Sequence, residues 1–280
     1  MLLRFIIWLS MVLSAVVCLL TGAFEGYKWL WLLPLVAFWA VVAFLLCVFG
    51  YLLLLCRRVD PNQEQDGEDH HYRKFAELII ESVIPLVRVN VKTKGLKQLP
   101  AEGRFMLVCN HVSDLDPAPI LYALPGRQLA FIAKREVRDM FIVGPILQKL
   151  QGQFINREND REALKTILKC IQILKEDKGS IAVFPEGGIH EDRKFHHFRP
   201  GVFKIAQKAK VPIVVCTLKN TLPLIHNILH FKRTDVEFSV LKVIAPEEFE
   251  SLTTPELAEQ VYQMMATDLG PENIAQEENT

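Results

Sequence analysis

Two uncharged apolar stretches lie near the start of the chain, at residues 5–20 and 29–56. As a helix, the second stretch would be about 42 Å long, enough to cross a hydrocarbon core of ~30 Å with some tilt. The first would be only about 24 Å long, so it is short for a span and could lie within one leaflet. This pattern predicts a membrane anchor of two hydrophobic helices over residues 1–58.

A cleaved signal peptide is the alternative interpretation of the first stretch, because Arg4 places a positive charge ahead of it. No A-x-A-like cleavage site follows, and a longer apolar stretch begins soon afterwards, so the sequence favours the anchor. Arg4 precedes the two stretches, and Arg57 and Arg58 follow them. The positive-inside rule therefore places both ends, and the domain that follows, on the cytoplasmic side of the membrane.

After the anchor the hydrophobic period changes. Residues 59–71 are mostly polar and predict a linker. Residues 72–86 carry apolar side chains at helical spacing, which predicts a helix packed on the domain, with the bilayer surface as the alternative contact. From residue 87 to residue 92, valines alternate with polar residues, as they do in a half-exposed strand.

Strand and helix patterns then alternate to the end of the domain. Further strands are predicted at 106–109, 129–133, 152–157, 180–184, 212–218 and 235–244. Helices are predicted at 161–175, 202–209 and 255–269. This alternation predicts an α/β fold with a mostly central mixed sheet flanked by helices, over residues 72–270. An acidic tail, expected to fray, follows at 271–280.

The distribution of charge indicates a class of partner, and the cysteines indicate a cellular compartment. The formal net charge is zero, but no Lys or Arg follows Lys242, so the part of the chain before it is basic. A basic domain beside a membrane suits anionic headgroups or phosphorylated substrates, with an ordinary solvated surface as the alternative. The six cysteines lie in apolar contexts without CxxC spacing, which indicates buried thiols in a reducing compartment.

His111 is the first residue with catalytic potential, because it lies in a loop after the predicted strand at 106–109. Ligands of open α/β sheets bind at the carboxyl ends of strands. Two acids follow, and a helical segment would bring Asp114 to His111, whereas a turn would bring Asp116. Pro117 indicates that a helix starts there, with Asp116 as its N-cap. These residues leave the choice open and slightly favour Asp116.

Two more predicted strands end in polar residues that suit a ligand. FPEGG at 184–188 ends a strand with an acid and two glycines, which allow a ligand to approach the backbone closely. INR at 155–157 ends another strand with an arginine, a side chain that suits a phosphate. A plain turn and a surface ion pair of Arg157 with a neighbouring acid are the alternatives. Together with His111 and its acid, these residues predict a site for a phosphorylated substrate.

These motifs resemble those of the 1-acyl-sn-glycerol-3-phosphate acyltransferase (lysophosphatidic acid acyltransferase) family of glycerolipid acyltransferases. NHVSDLD at 110–116 matches the family's first motif, a His and an Asp with four residues between them. Three further motifs match in order: GQFINR at 152–157, FPEGG at 184–188 and VPIV at 211–214. FRPG at 198–201 resembles a further basic segment of the family. The resemblance covers residues 85–245.

The resemblance implies a membrane-bound enzyme that moves a fatty acyl group from an acyl thioester to the sn-2 hydroxyl of 1-acylglycerol-3-phosphate, giving phosphatidic acid. It implies that His111 is the general base and that Asp116, rather than Asp114, orients its imidazole. The expected partners are the phospholipid membrane, lysophosphatidic acid and either acyl-CoA or acyl-carrier protein as donor. No cofactor, metal ion or nucleic acid is expected.

The resemblance also implies a set of substrate-binding residues. Arg157, Glu186 and Gly187 are implied to position the glycerol phosphate. Further candidates for the same region are Asn156, Lys134 and Arg199.

The motifs depart from the family's pattern at two places. Asn156 stands where the family often has Asp, a change that the neighbouring arginine makes tolerable. The third motif continues as Gly188, Ile189 and His190, where the family usually has Thr and then Arg-Ser. This second departure leaves the headgroup preference open, so another lysophospholipid is an alternative acceptor.

Other classes of protein fit the sequence less well. A serine hydrolase would need a nucleophile in a G-x-S-x-G context, which is absent, and Ser113 is expected to be a turn residue. Cys109 as an acyl-enzyme nucleophile is disfavoured because it ends an apolar strand. His190, His196 and His197 lack a suitably spaced further metal ligand. A non-catalytic lipid-binding module is the remaining alternative, and an intact set of polar residues argues against it.

Overall fold

The computed structural model of the chain describes residues 2–20, 32–60, 63 and 65–275. The chain forms two compact units, Met1–Asp60 and Pro61–Thr280. The first unit contains helices and the second contains a sheet with helices on both faces.

The first unit contains two helices, α1 at Leu2–Leu20 and α2 at Leu32–Arg57. Leu35–Arg57 within α2 has a mean hydropathy of 2.6 and is long enough to cross a membrane. Met11–Leu20 is apolar but shorter than a span. Among the described residues, therefore, one helix has the length and composition of a membrane span. The predicted two-helix anchor is not confirmed, and the orientation toward the cytoplasm stays a prediction.

The second unit contains a seven-stranded sheet in the order β1-β7-β6-β2-β5-β3-β4. The strands are β1 Val89–Lys94, β2 Met106–Val108, β3 Leu129–Lys134, β4 Gln153–Ile155, β5 Ser180–Val183, β6 Ile213–Lys219 and β7 Thr234–Ile244. Neighbouring strands are parallel except for the antiparallel pair of β6 and β7. The predicted mixed central sheet is confirmed.

Helices cover both faces of this sheet. They are α3 His70–Leu86, α4 Pro117–Ala123, α5 Val143–Lys149, α6 Asp160–Lys175, α7 Lys204–Ala209, α8 Leu224–Leu229, α9 Pro246–Phe249 and α10 Thr254–Leu269. Short 3-10 helices lie at Leu96–Gln98, Arg135–Asp139, Pro200–Phe203 and Pro271–Asn273.

Alternate residues of β2 belong to two separate hydrophobic cores, one on each face of the sheet, because successive strand side chains point to opposite faces. Met106 packs with α6, α7 and α10, whereas Leu107 packs with α3 and α4.

Element ends differ from the predicted ones where local geometry overrides the hydrophobic pattern. The strand predicted from residue 87 begins at Val89, because Val87 caps α3 and Arg88 has a left-handed backbone with a φ of 61°. Helix α3 begins at His70, where Asp69 accepts hydrogen bonds from two backbone N–H groups of the first turn. The tail predicted to fray is ordered in its first part, since Ile274 pairs with Phe195. Residues 276–280 lie outside the described ones.

The parallel direction of five strands sets the position of the site. Strands β2, β3, β4, β5 and β6 all point the same way, so their carboxyl ends meet at one edge of the sheet. The candidate residues of the sequence lie at the ends of four of these strands: His111 after β2, Lys134 at the end of β3, Asn156 and Arg157 after β4, and Glu186 after β5.

Candidate active site

His111 and Asp116 meet in the loop that joins β2 to α4. Nδ1 of His111 lies 2.9 Å from Oδ2 of Asp116. Asp116 is fully buried, whereas 17 % of the His111 side chain remains exposed. The carboxylate can only accept, so the proton of the imidazole is assigned to Nδ1 and the lone pair to Nε2. This tautomer is the one that a histidine base requires.

Asp116 organises the loop as well as the histidine. Its Oδ2 also accepts hydrogen bonds from the backbone N–H groups of Val112 at 2.8 Å and Ser113 at 2.9 Å. One carboxylate oxygen therefore holds three N–H groups. The second oxygen, Oδ1, is buried and has no hydrogen-bond partner among the residues described.

The expected helix-capping role of Asp116 is wrong in one respect. Asp116 does occupy the N-cap position of α4, and Pro117 is the first helical residue. However, its backbone is already helical, with φ −54° and ψ −34°, and its side chain makes no capping hydrogen bond to α4. The side chain points back into the loop, where its Oδ2 accepts from three N–H groups, and it makes no bond to the helix that follows.

The two other polar residues of the loop have structural positions. Asp114 is exposed to solvent and lies away from the imidazole. Ser113 is buried, and its Oγ accepts a hydrogen bond from the N–H of Leu115, as expected for a turn residue. The geometry thus pairs His111 with Asp116, in agreement with the turn rather than the helical interpretation of this segment.

The ring of Phe184 packs against one face of the His111 imidazole. The rings of His111 and Phe184 stack with centroids 4.1 Å apart and an interplanar angle of 13°. Phe184 in turn stacks on Phe131, at 6.0 Å. The described part of the chain provides no hydrogen bond to Nε2 of His111, so this nitrogen is left for a ligand.

Glu186 links the histidine loop to a second segment. Its Oε1 accepts a hydrogen bond from the backbone N–H of His111 at 2.7 Å, and its Oε2 accepts one from the N–H of His196 at 3.1 Å. The side chain is 3 % exposed, and burial raises the pKa of Glu186 to about 8, although the two N–H groups oppose the shift. Both oxygens are therefore committed to the backbone, which makes Glu186 a positioning residue.

The glycine pair after Glu186 brings three cations together. Gly187 has a φ of 86°, and a Cβ at this position would lie 2.7 Å from Nε of Arg199. A Cβ on Gly188 would lie 3.0 Å from Nη1 of Arg157 and 3.7 Å from Cε of Lys134. The three cations line a pocket of about 340 Å³ whose wall includes the glycine pair. Side chains larger than hydrogen would fill the space in which these cations converge.

None of these three cations has an acidic partner within the described residues. Arg157, Arg199 and Lys134 form no ion pair there, so the predicted alternative of a surface ion pair for Arg157 does not hold. Burial lowers the pKa of Arg157, and the charge of Arg199 lowers it further, against an opposing effect of Glu136. Glu136 and Glu158 also line the pocket, but neither forms an ion pair with these cations among the described residues, and the three positive charges favour an anionic ligand.

Asn156 has a different position from the one its motif suggested. Its side-chain amide donates to Oε2 of Glu162 at 3.0 Å, and its Oδ1 accepts from the N–H of Glu158 at 3.1 Å. Asn156 lines the pocket, but these bonds make it a residue that shapes the loop carrying Arg157.

One structural residue of the site escaped the sequence analysis. Asn110 is 2 % exposed, and its side chain donates to the carbonyl of Leu218 at 2.9 Å and accepts from the N–H of Leu218 at 2.8 Å. The amide therefore continues the pairing of β2 with β6 beyond the end of the short strand. The signal available in the sequence was an asparagine directly after a run of apolar residues.

The cysteine and histidine residues that were considered for covalent or metal-dependent catalysis are poorly positioned for those roles. Cys109 is fully buried, and burial raises the pKa of its thiol well above the ordinary value, which opposes a thiolate nucleophile. His190 and His196 stack on each other at 3.7 Å, whereas His197 stacks on Tyr262. Within the described ranges, no group of three or more His, Cys, Asp or Glu side chains is arranged to hold a metal ion.

The chain is similar in sequence to known acyltransferases. Residues 90–219 match the sequence model of the family described as Acyltransferase. The chain is 27 % identical over 225 residues to human 1-acyl-sn-glycerol-3-phosphate acyltransferase alpha, covering 78 % of this chain and 77 % of the relative. It is 26 % identical over 241 residues to a probable 1-acyl-sn-glycerol-3-phosphate acyltransferase of Mycoplasma genitalium, covering 78 % of this chain and 87 % of the relative.

A solved structure supports the fold. The chain is similar to the crystal structure of the 1-acyl-sn-glycerophosphate (LPA) acyltransferase PlsC from Thermotoga maritima, with a TM-score of 0.58 and 23 % sequence identity. The similarity covers 78 % of this chain and 86 % of that structure. The mixed sheet flanked by helices is thus a shared architecture.

The raised pKa of Glu186 predicts a pH-dependent stability. The folded state holds the proton of Glu186 up to a pH of about 8, whereas the unfolded chain releases it near the ordinary value of 4.5. Stability is therefore greatest at low pH and falls between pH 4.5 and 8, by at most about 1.4 kcal/mol per pH unit. Urea unfolding of the full chain in detergent should show this fall relative to Glu186→Gln, which does not titrate.

The exposed neighbour Glu191 provides the matched control. Wild type and Glu191→Gln should have parallel pH profiles of unfolding free energy. A free-energy difference between wild type and Glu186→Gln that stays constant from pH 5 to pH 8.5 would contradict the shift.

Proposed function

Because the chain is an acyltransferase of the 1-acyl-sn-glycerol-3-phosphate acyltransferase family, we propose that it acylates the sn-2 hydroxyl of 1-acylglycerol-3-phosphate at His111. The observation that carries this proposal is the 2.9 Å hydrogen bond between Nδ1 of His111 and Asp116, which leaves Nε2 as the basic nitrogen. The unpaired cations beside Glu186 support an anionic acceptor. Phosphatidic acid is the proposed product.

In the proposed reaction, Nε2 of His111 removes the proton of the acceptor hydroxyl as its oxygen attacks the thioester carbonyl carbon. A carbon–oxygen bond forms, the carbonyl π electrons move to its oxygen, and a tetrahedral intermediate results. When the carbonyl reforms, the carbon–sulfur bond breaks. The imidazolium then returns its proton to the departing thiolate, so the enzyme is restored without a covalent acyl-enzyme.

Asp116 acts through His111 in this scheme. Its carboxylate holds the imidazole in the tautomer that exposes Nε2 and stabilises the imidazolium that forms during the reaction. Its two backbone hydrogen bonds keep it fixed while the charge changes, so little reorganisation accompanies proton transfer.

The phosphate of the acceptor is proposed to lie in the cation pocket. Arg157 is the principal partner, because its guanidinium is partly buried and has no ion pair among the described residues. Lys134 and Arg199 add positive charge from two sides of the glycine pair. Glu186 and Gly187 shape the pocket, and Asn156 fixes the loop that carries Arg157.

A related reaction on a different lysophospholipid is the second candidate. His190 lines the pocket, and it stands in the part of the third motif where this chain departs from the family's usual residues. A lysophospholipid with a larger or differently charged headgroup is therefore the alternative acceptor.

The donor is proposed to be acyl-CoA or acyl-carrier protein, with no further cofactor, and the enzyme is proposed to work at a membrane with its domain on the cytoplasmic side. A radiolabelled transfer assay with a lysolipid panel and both donors distinguishes these acceptors and donors.

Loss of the base should abolish most of the activity. We expect His111→Ala to lower kcat by about 10²–10⁴-fold, the usual contribution of general base catalysis. Asp116→Asn should also lower kcat strongly, because the amide can favour the wrong tautomer. The measurement is steady-state acyl transfer by the full chain in mixed micelles, with circular dichroism to check the fold.

The neighbouring acid provides the control for this experiment. Asp114→Asn removes an exposed carboxylate from the same loop and should leave kcat within about two-fold, as for other exposed substitutions. Near-normal transfer by His111→Ala would rule out the general-base assignment.

Removal of the principal phosphate partner should affect one substrate only. We expect Arg157→Ala to raise the KM for a phosphate-bearing acceptor by about 10- to 100-fold, the worth of one charged hydrogen-bonding partner. The KM for the thioester should change little. Arg161→Ala, an exposed arginine on the adjacent helix α6, is the matched control. An equal rise in both KM values would remove the phosphate role from Arg157.

A further inference from the structure

Five large apolar side chains are exposed at the same edge of the sheet that carries His111. They form a surface, here called the apolar rim, that consists of Leu86, Leu222, Ile225, Leu229 and Phe231. The exposed fraction reaches 75 % for Leu86, 73 % for Leu229 and 76 % for Phe231. Large exposed apolar side chains gathered at one edge of a domain indicate a contact surface.

The topology brings the parts of the rim together. Strand β7 is antiparallel to β6 and parallel to β1, so the starts of β1 and β7 lie beside the end of β6. Leu86 ends α3 just before β1, and Phe231 precedes β7. The guanidinium of Arg88 donates to the carbonyl of Phe231 at 3.0 Å, which ties these two segments to each other.

Helix α8 and the turn before it carry three members of the rim. Ile225 and Leu229 lie four residues apart on one face of α8, and Leu222 lies in the turn just before the helix. Leu224 lies on a different face of α8 and is buried in the core. Helix α8 therefore buries one apolar face in the domain and exposes a second one to solvent.

The segment that carries four of the five rim residues is cationic. Residues 220–233 contain no Asp or Glu, and they end with Lys232 and Arg233. Arg233 pairs with Asp235 at 2.9 Å, whereas Lys232 has no acidic partner in the part of the chain that is described. Exposed apolar tips flanked by cations are typical of segments that insert into the interface of an anionic bilayer.

We propose that the apolar rim inserts into the interfacial region of a phospholipid bilayer with anionic headgroups and so presents the His111 edge of the sheet to the lipid surface. The rim belongs to the second unit alone and acts in addition to any anchor in the first. The apolar side chains enter the acyl boundary, and Lys232 and Arg88 remain at the headgroups. A second copy of the chain is the competing occupant, and the experiment below separates the two.

The direct test places a reporter on the rim of the full-length protein in vesicles of phosphatidylcholine and phosphatidylglycerol. Leu229→Cys is labelled with an environment-sensitive fluorophore, and Glu102→Cys, exposed before β2 at the opposite edge, is the matched control. Wild type treated in the same way gives the signal of the native cysteines. Nitroxides on the lipid acyl chains should quench the label at residue 229 and spare the label at residue 102.

This readout does not require acyl transfer, so it stands or falls independently of the proposed function. A label at residue 229 that is blue-shifted but not quenched would show a protein partner and overturn the proposal. Equal, solvent-like emission from both positions would overturn it as well. Quenching that weakens when phosphatidylglycerol is omitted supports the role of the flanking cations.

A second measurement rests on the proposed function and uses substitutions that leave the core intact. Leu229→Asp with Phe231→Asp should raise the KM for a vesicle-borne acceptor by about ten-fold or more and leave that for a soluble short-chain acceptor unchanged. Leu164→Asp with Leu168→Asp removes two side chains of α6 that are also about half exposed and should change neither value. An equal rise for both acceptors would contradict the proposal.

Discussion

The buried carboxylate of Asp116 is the interaction on which the site depends. Its Oδ2 accepts hydrogen bonds from the imidazole N–H of His111 and from the backbone N–H groups of Val112 and Ser113, in the first turn after β2. A buried charge without such partners would be costly, so the loop has few other ways to fold around it. The same bonds that satisfy the acid also determine the direction of the imidazole. Stability of the loop and orientation of the base thus have one physical cause.

Glu186 extends this constraint to the rest of the edge. It contacts the backbone on both sides of the site, at His111 and at His196, and it stands one residue before the glycine pair. A short, buried carboxyl group therefore joins the histidine loop to the segment that contains His196 and lies directly before the glycine pair. Asn110 restrains the same loop from the other side, by pairing with Leu218 of β6. The loop of His111 is therefore held from two sides, by Glu186 after β5 and by Leu218 in β6, and these are the two strands that pair with β2.

The sequence predicted those features whose cause is local. Apolar runs identified the buried strands, because such a strand has consecutive apolar residues, and the alternation of valines with polar residues identified β1. Helices α5, α8 and α9 were missed, since seven residues or fewer show too little of a helical period, and α4, which is as short, was predicted only from Pro117 at its start. The backbone of Asp116 is helical although proline follows, because three hydrogen bonds outweigh that preference. The use of both Glu186 oxygens by distant N–H groups is tertiary, and no local pattern could predict it.

The order of the strands distributes the chemistry along the edge. The cations follow β3, β4 and the glycine pair after β5, the base follows β2, and the apolar rim lies at β6, β7 and β1. Neighbouring strands are ~4.8 Å apart, so His111 lies within about 5–15 Å of both the cationic and the apolar side. A lysophospholipid has the same sequence of parts, with an anionic phosphate, a free hydroxyl and an apolar chain. We infer that the sheet order itself selects such an amphiphile, because reversing any two parts would place charge on the apolar rim or hydrocarbon among the unpaired cations.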